Sequence, residues 1–270
     1  MQNFVVSLKN VSFSYDDTRM ILKNISINIP KGKRIAIMGG SGSGKTTLLR
    51  LITGQCQPQT GTVHVFNQNL SRLPNRKILN LRKRIGVLFQ FGALFTDMSV
   101  YENVAFSIKE HTNLPESIIQ KIVAMKLKAV GLFGTQDMAT NELSGGMARR
   151  VALARATALD PELMLYDEPF TGLDPISLNV ISMLIKKLND ALEQTSIIIT
   201  HDFATTLKIV DYVYVMANGE IIAFGTPLAV LNSQEPAVKQ FVKGEVTGPF
   251  NYEFQTKMSY NAYLGIDHNE

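Results

Sequence analysis

Short apolar runs alternate with longer amphipathic stretches along most of the chain. FVVSL, ISINIP, RIAIMG, TVHVF, RIGVLF, LMLYDE, SIIIT and YVYVM have strand length and are rich in β-branched or aromatic residues. SIIIT (residues 196–200) and the apolar part of LMLYDE (163–168) are unbroken rather than alternating. That pattern fits strands buried on both faces, as in parallel sheets. Between these runs, KTTLLRLIT (45–53), SIIQKIVAMKLKAVGL (117–132), SGGMARRVALARATAL (144–159) and ISLNVISMLIKKLNDALEQ (176–194) read as helices. The alternation predicts an α/β fold on a mostly parallel sheet. Residues from about 91 to 159 lack a convincing strand and read as a helical insertion. Beyond Leu231 the pattern changes. The tail GPFNYEFQTKMSYNAYLGIDHNE holds Phe250, Tyr252, Phe254, Tyr260 and Tyr263. That is too aromatic for an ordinary disordered tail, so it is expected to dock on its own domain or on a neighbour.

Composition narrows the class. With 45% hydrophobic and 19% charged residues in 270, the chain can bury a full core. The net charge of +4 is too mild to argue for nucleic acid by itself. The basic stretch NRKILNLRKR (75–84) reads first as a solvated helix face. Cys56 stands alone, so no intrachain disulfide forms, which fits a reducing compartment. MQNFVVSLKN does not read as a signal peptide, and no run of 18 apolar residues is present to span a membrane.

The sharpest local signal is GGSGSGKTT, residues 39–47. Gly39, Gly40, Ser41, Gly42, Ser43, Gly44, Lys45 and Thr46 match G-x-x-x-x-G-K-[ST], with a strand before and a helix after. Glycines let the backbone turn its N–H groups toward phosphate oxygens, and the helix N-terminus adds the positive end of its dipole. Lys45 is expected at the β- and γ-phosphates of ATP, the Thr46 hydroxyl on Mg²⁺, and Thr47 near the α/β-phosphates. A plain glycine turn would need neither the lysine nor the threonine. Downstream, LMLYDE ends an apolar strand in Asp167, a candidate Mg²⁺ ligand, and Glu168, a candidate base for an attacking water. SIIIT leads into His201, which would emerge at the same carboxyl edge of the sheet. A histidine after a strand is often merely structural. At that edge it is a candidate γ-phosphate sensor.

At LSGGMARRVALARA the chain resembles a known family. LSGGM (143–147) is similar to the L-S-G-G-Q signature of ABC-transporter ATPase subunits. Together with the phosphate loop, LMLYDE and His201, the resemblance covers about residues 5–231. It implies a P-loop NTPase core of RecA-like type, an inserted helical subdomain at about 91–159 and an N-terminal antiparallel β portion. Residues 1–231 would form the nucleotide-binding domain and 232–270 a C-terminal extension. In this family Tyr15, in VSFSY, would stack on adenine. Gln90, closing RIGVLFQ, would contact Mg²⁺ and the attacking water. Asp174, in TGLDP, would lie at a dimer interface.

The resemblance also implies a head-to-tail homodimer in which Ser144, Gly145 and Gly146 face the partner's nucleotide. A serine N-cap alone would account for Ser144 but not for both glycines. Met147 in place of the usual glutamine and the segment FGALFTDMSVYENVAF (91–106) further resemble the ATPase subunits of Mla-type phospholipid transporters of Gram-negative envelopes. That resemblance implies a motor for phospholipid movement between inner and outer membranes, maintaining outer-membrane lipid asymmetry. It implies an integral-membrane permease, a small STAS-domain subunit, a periplasmic lipid-binding subunit, and a peripheral place on the cytoplasmic face of the inner membrane. Phe91, Leu94, Phe95 and Met98 would then meet the permease, or else belong to the core of the helical insertion. Met147 removes a side-chain amide but leaves Ser144 and the backbone, so activity is expected to survive. Another cargo remains open, since no ATPase motif touches cargo. A soluble nucleic-acid ATPase fits less well, because the interval between phosphate loop and signature is short and only one cassette is present.

Overall fold

The computed structural model describes residues 4–16 and 19–249. The chain runs through β1 (Phe4–Ser14), β2 (Met20–Pro30), β3 (Arg34–Gly39), α1 (Lys45–Ile52), β4 (Thr60–Val65), β5 (Gln68–Asn69), α2 (Asn75–Arg82) and β6 (Ile85–Leu88). It continues through α3 (Val100–His111), α4 (Glu116–Ala129), α5 (Gly145–Ala156), β7 (Leu163–Asp167), α6 (Pro175–Leu192) and β8 (Thr195–Thr200). It closes with α7 (Phe203–Thr206), β9 (Tyr212–Ala217), β10 (Glu220–Gly225), α8 (Pro227–Leu231) and α9 (Pro236–Lys243). The aromatic tail from Phe250 onward lies outside the described residues.

Two sheets form. One has the order β10-β9-β3-β8-β7-β6, parallel from β9 to β6, with β10 added antiparallel. The other, β2-β1-β4-β5, is antiparallel and holds the N-terminal strands. The α/β architecture expected from the alternation is therefore present, with its antiparallel portion. β1 and β2 extend past the short apolar runs visible in the sequence. Asn10 and Asn24 take left-handed backbone (φ 49° and 51°), Asn10 within the register shift between Leu8 and Val11. Asparagine tolerates that region and lets a long strand bulge and continue. β10 escaped the sequence reading, although Asn218-Gly219 carries the signal. Both residues have positive φ in a two-residue hairpin turn pairing Ala217 with Glu220.

Period-two alternation divides the parallel strands between two cores. Ile35 and Ile37 of β3, Leu163 and Leu165 of β7, and Ile197 and Ile199 of β8 face the antiparallel sheet and α1. Ala36, Met38, Met164, Tyr166 and Ile198 face the helical side with α3, α4 and α5. Among the described residues between β6 and β7 the regular elements are helices, apart from one isolated bridge between Ser99 and Ala139. Gly86 permits that side to close. A Cβ there would lie 2.3 Å from Met164 Sδ and 2.4 Å from the Ala156 carbonyl oxygen. No helix of the described residues is long and apolar enough to cross a membrane.

Candidate functional site

Because β3, β8 and β7 are parallel neighbours, the loops leaving their carboxyl ends meet at one edge. Met38 pairs with Thr200, and Asp167 with Ile199. The glycine loop leaves β3 and enters α1 through Gly44, whose φ of 100° is open to glycine and costly for other residues. Among the described residues no side chain caps this helix, which leaves its first N–H groups open to an anion. Lys45 folds back, its ammonium donating to the carbonyl oxygens of Gly39 (2.8 Å) and Gly40 (2.9 Å). Burial lowers its pKa, while the charges of Glu168 and Asp167 pull it back up. The Ser43 hydroxyl is buried and, among the described residues, has no hydrogen-bond partner.

Across the cleft, four buried residues of β7 deliver Asp167 to the strand end. Burial raises the Asp167 carboxyl above its ordinary pKa, and the adjacent Glu168 charge adds to this; Lys45 and Arg50 oppose it. Glu168 follows the strand with φ 47°, a left-handed residue held by its N–H donating to the Ile199 carbonyl at 2.8 Å. Such backbone persists where surrounding structure over-determines it, commonly at functional sites. The conformation turns the carboxylate toward His201, whose Nδ1 lies 2.9 Å from Glu168 Oε2. Thr171 Oγ1 donates to the same oxygen at 3.3 Å. The His201 side chain is 60% exposed.

A cavity of about 700 Å³ joins these groups: Gly40, Ser41, Gly42, Ser43, Gly44, Lys45, Thr46, Thr47, Gln90, Asp167, Glu168 and His201, with Tyr15 at one wall. Gly39 stands just behind, its carbonyl engaged by Lys45. Tyr15 is 55% exposed and braced edge-to-face by Phe13 at 4.9 Å. Its hydroxyl lies 3.3 Å from Thr47 Oγ1 and accepts from Arg50 Nη1 at 3.0 Å. Ser144, Gly145, Gly146 and Asp174 are not part of this cavity. Ser144 caps α5 by accepting from the Met147 N–H, and Asp174 caps α6 by accepting from Ile176 and Ser177 N–H groups. The two helix starts adjoin: a Cβ on Gly146 would meet Ser177 Oγ at 2.8 Å.

Several contributors had no local signal. Arg19, Ile21 and Phe241 also line the cavity. Arg149, buried on α5, donates to the carbonyl oxygens of Phe89 (3.2 Å), Gln90 and Thr171 (3.0 Å). One guanidinium thus ties the Gln90 loop to the loop after Glu168. An arginine in MARR reads as a helix surface residue until the fold turns it inward.

The arrangement suits a nucleotide triphosphate. The uncapped α1 terminus and the unpartnered Ser43 hydroxyl offer donors to phosphate, and the exposed Tyr15 ring offers a stacking face. Among the described residues no cluster of three or more His, Cys, Asp or Glu could hold a metal ion alone. An ion here would draw on Thr46, Asp167, water and phosphate oxygens, the donor set Mg²⁺ favours.

The ABC transporter family model matches residues 22–171. The chain belongs to the ABC transporter family. It is an ATPase of that family, whose members bind ATP. This ABC ATPase is 53% identical over 254 residues to the intermembrane phospholipid transport system ATP-binding protein MlaF of Haemophilus influenzae, covering 94% of this chain and 96% of that protein. It is 46% identical to the Escherichia coli K12 protein of the same name, covering 93% of each. Among solved structures, cbiO1 from Clostridium perfringens, part of the ABC transporter complex cbiONQ, superposes with a TM-score of 0.79 at 34% identity. That match covers 87% of this chain and 93% of cbiO1. The ATP-binding cassette MJ0796, solved as a dimer bound to ADP and Pi, gives a TM-score of 0.75 at 30% identity, covering 82% and 98%.

Proposed function

We propose that this ABC ATPase is the motor subunit that couples ATP hydrolysis to phospholipid movement between inner and outer membranes, maintaining outer-membrane lipid asymmetry. The observation that carries the ATPase half is the convergence of Lys45, Asp167, Glu168 and His201 on one cavity. Identity of 53% and 46% to MlaF proteins across more than nine-tenths of the chain carries the lipid half.

In this reading Tyr15 stacks on adenine and residues 39–47 wrap the phosphates. Lys45 leaves the Gly39 and Gly40 carbonyls to meet the β- and γ-oxygens. Thr46, Asp167 and Gln90 would hold Mg²⁺, which when bound would supply charge neutralisation at the phosphates. Glu168 accepts a proton from the attacking water, and His201, 2.9 Å from it, senses the γ-phosphate. Ser144, Gly145 and Gly146 serve the nucleotide of a second copy arranged head to tail, with Asp174 at the interface. Their separation from the cavity within one chain and the dimeric structure of MJ0796 support this.

In this reading the nucleotide-binding domain spans residues 1–231 with the helical insertion at about 91–159, and residues 232–270 extend it. An integral-membrane permease docks in the groove of about 820 Å³ lined by Leu79, Phe89, Phe95 and Phe106. Phe95 contributes directly and Phe91 is 79% exposed, while Leu94 packs against the core. A STAS-domain subunit and a periplasmic lipid-binding subunit complete the assembly on the cytoplasmic face of the inner membrane, and nucleic acid has no part. The test is a pull-down from detergent-solubilised inner membranes, with partners and lipid read by mass spectrometry. A permease, a periplasmic lipid-binding subunit and phospholipid are expected. A permease with a different cargo-binding protein would leave the ATPase and remove the lipid claim.

A further inference from the structure

The imidazole of His201 has a demanding task and little of its own to hold it. It is largely exposed, and its one polar contact among the described residues is Glu168. What sets its position is the short turn on which it stands. On one side Thr200 is fully buried at the end of β8, and its hydroxyl accepts the Asp202 N–H at 3.0 Å. On the other side Asp202 caps α7, accepting from the N–H and the hydroxyl of Thr205, each at 3.0 Å. The next side chain, Phe203, meets the ring of Phe241 edge-to-face, with centroids 4.9 Å apart and planes at 73°.

Phe241 comes from α9, far downstream and outside the residues that match the family model. α9 is seated by Val238, fully buried, and by Ala237 and Gln240. Phe241 and Val242 pack on the same core as Phe203. The same Phe241 lines the nucleotide cavity with Tyr15 and His201. One ring therefore touches the turn that carries His201 and walls the space His201 must act in.

We infer that Phe241 is a positioning residue for ATP hydrolysis: through Phe203 it holds the His201 turn so that the imidazole faces Glu168 and the cavity. This rests on the reading of His201 as part of the hydrolytic site. An edge-to-face aromatic pair adds a modest increment to plain burial, and a small displacement of a catalytic group has a large effect on rate. The C-terminal part of the chain thereby reaches the chemistry of a site whose motifs all lie upstream.

The test measures steady-state hydrolysis and nucleotide affinity in the native complex for Phe241→Ala, Phe241→Leu, His201→Ala and the double variant Phe241→Ala/His201→Ala. Phe241→Ala is expected to lower kcat about tenfold, with KM and ATP affinity changed less than about threefold. Phe241→Leu, which keeps apolar bulk, recovers part of that loss. In the His201→Ala background the second substitution has no further effect, because the residue it positions is gone. The inference is overturned if Phe241→Ala keeps kcat within about twofold, or if its loss multiplies with that of His201→Ala. It is also overturned if kcat and affinity fall together with the melting temperature, the mark of a merely structural role. Wild-type hydrolysis by His201→Ala would instead overturn the site reading on which the inference rests.

Discussion

Replacing Arg149 tests whether the Gln90 loop and the loop after Glu168 are held as one unit. The guanidinium is buried and donates to three backbone carbonyls: those of Phe89, Gln90 and Thr171. Hydrogen bonds to a charged group contribute about 1.5 kcal/mol each at the low end, so three amount to about 4.5 kcal/mol. Freeing an ordered arginine side chain returns about 2 kcal/mol of conformational entropy. Arg149→Ala is therefore expected to cost about 2.5 kcal/mol, a large share of the roughly 5–15 kcal/mol that stabilises most folded proteins. Lysine presents one compact ammonium rather than a planar fork, so it cannot bridge the two loops as arginine does. Arg149→Lys should recover only about a third of the loss. Urea unfolding of the two variants and wild type, with slopes compared as well as midpoints, gives the stability differences. Hydrolysis measured alongside should fall more steeply than stability, since Gln90 and Glu168 lose their common anchor. An Arg149→Ala protein within about 0.5 kcal/mol of wild type, or a lysine variant equal to wild type, would refute the clamp.

Further outcomes follow from the cavity. Glu168→Gln should bind ATP with near-wild-type affinity, hydrolyse it about a hundredfold or more slowly, and accumulate as an ATP-bound dimer in sedimentation; hydrolysis at the wild-type rate would remove Glu168 as the base. Lys45→Ala should lose most ATP affinity in a fluorescent-nucleotide titration; retained affinity would mean that its contacts to Gly39 and Gly40 are its whole role. Asp167 bears on pH dependence. Its folded pKa is raised, first by burial and then by Glu168, so the folded chain binds a proton that the unfolded chain has released. That contribution is fully present below the unfolded value, about 4, and is lost as pH rises through the folded value. Asp167→Asn should flatten this fall in urea midpoints taken across the acid range, and an unchanged slope would contradict the assignment.

The phosphate loop, LMLYDE and SIIIT-His were legible because each is a contiguous pattern with a local physical cause. A parallel sheet then carries their ends to one edge whatever the details of the intervening helices. The order of the strands was not legible, since nothing in RIAIMG says that SIIIT lies on one side and YVYVM on the other. Arg149 and Phe241 were missed for the same reason: their partners are distant in sequence and no spacing announces them. The basic stretch 75–84 is only partly a solvated face. Arg82 donates to the Thr53 and Gly54 carbonyls, and Arg84 pairs with Glu162 and lies over the Phe66 ring. The signature residues were found through resemblance. Within one chain Ser144 and Gly145 face solvent, and no geometry in a single copy would have assigned them to a nucleotide.

The most direct measurement is ATP-dependent transfer of labelled phospholipid by the assembled complex in proteoliposomes, run with wild type and with Glu168→Gln. Transfer with wild type is expected to depend on ATP hydrolysis, and none is expected with Glu168→Gln although that variant still holds ATP. Transfer that proceeds equally with Glu168→Gln, or wild-type ATP hydrolysis that moves no phospholipid, would contradict it.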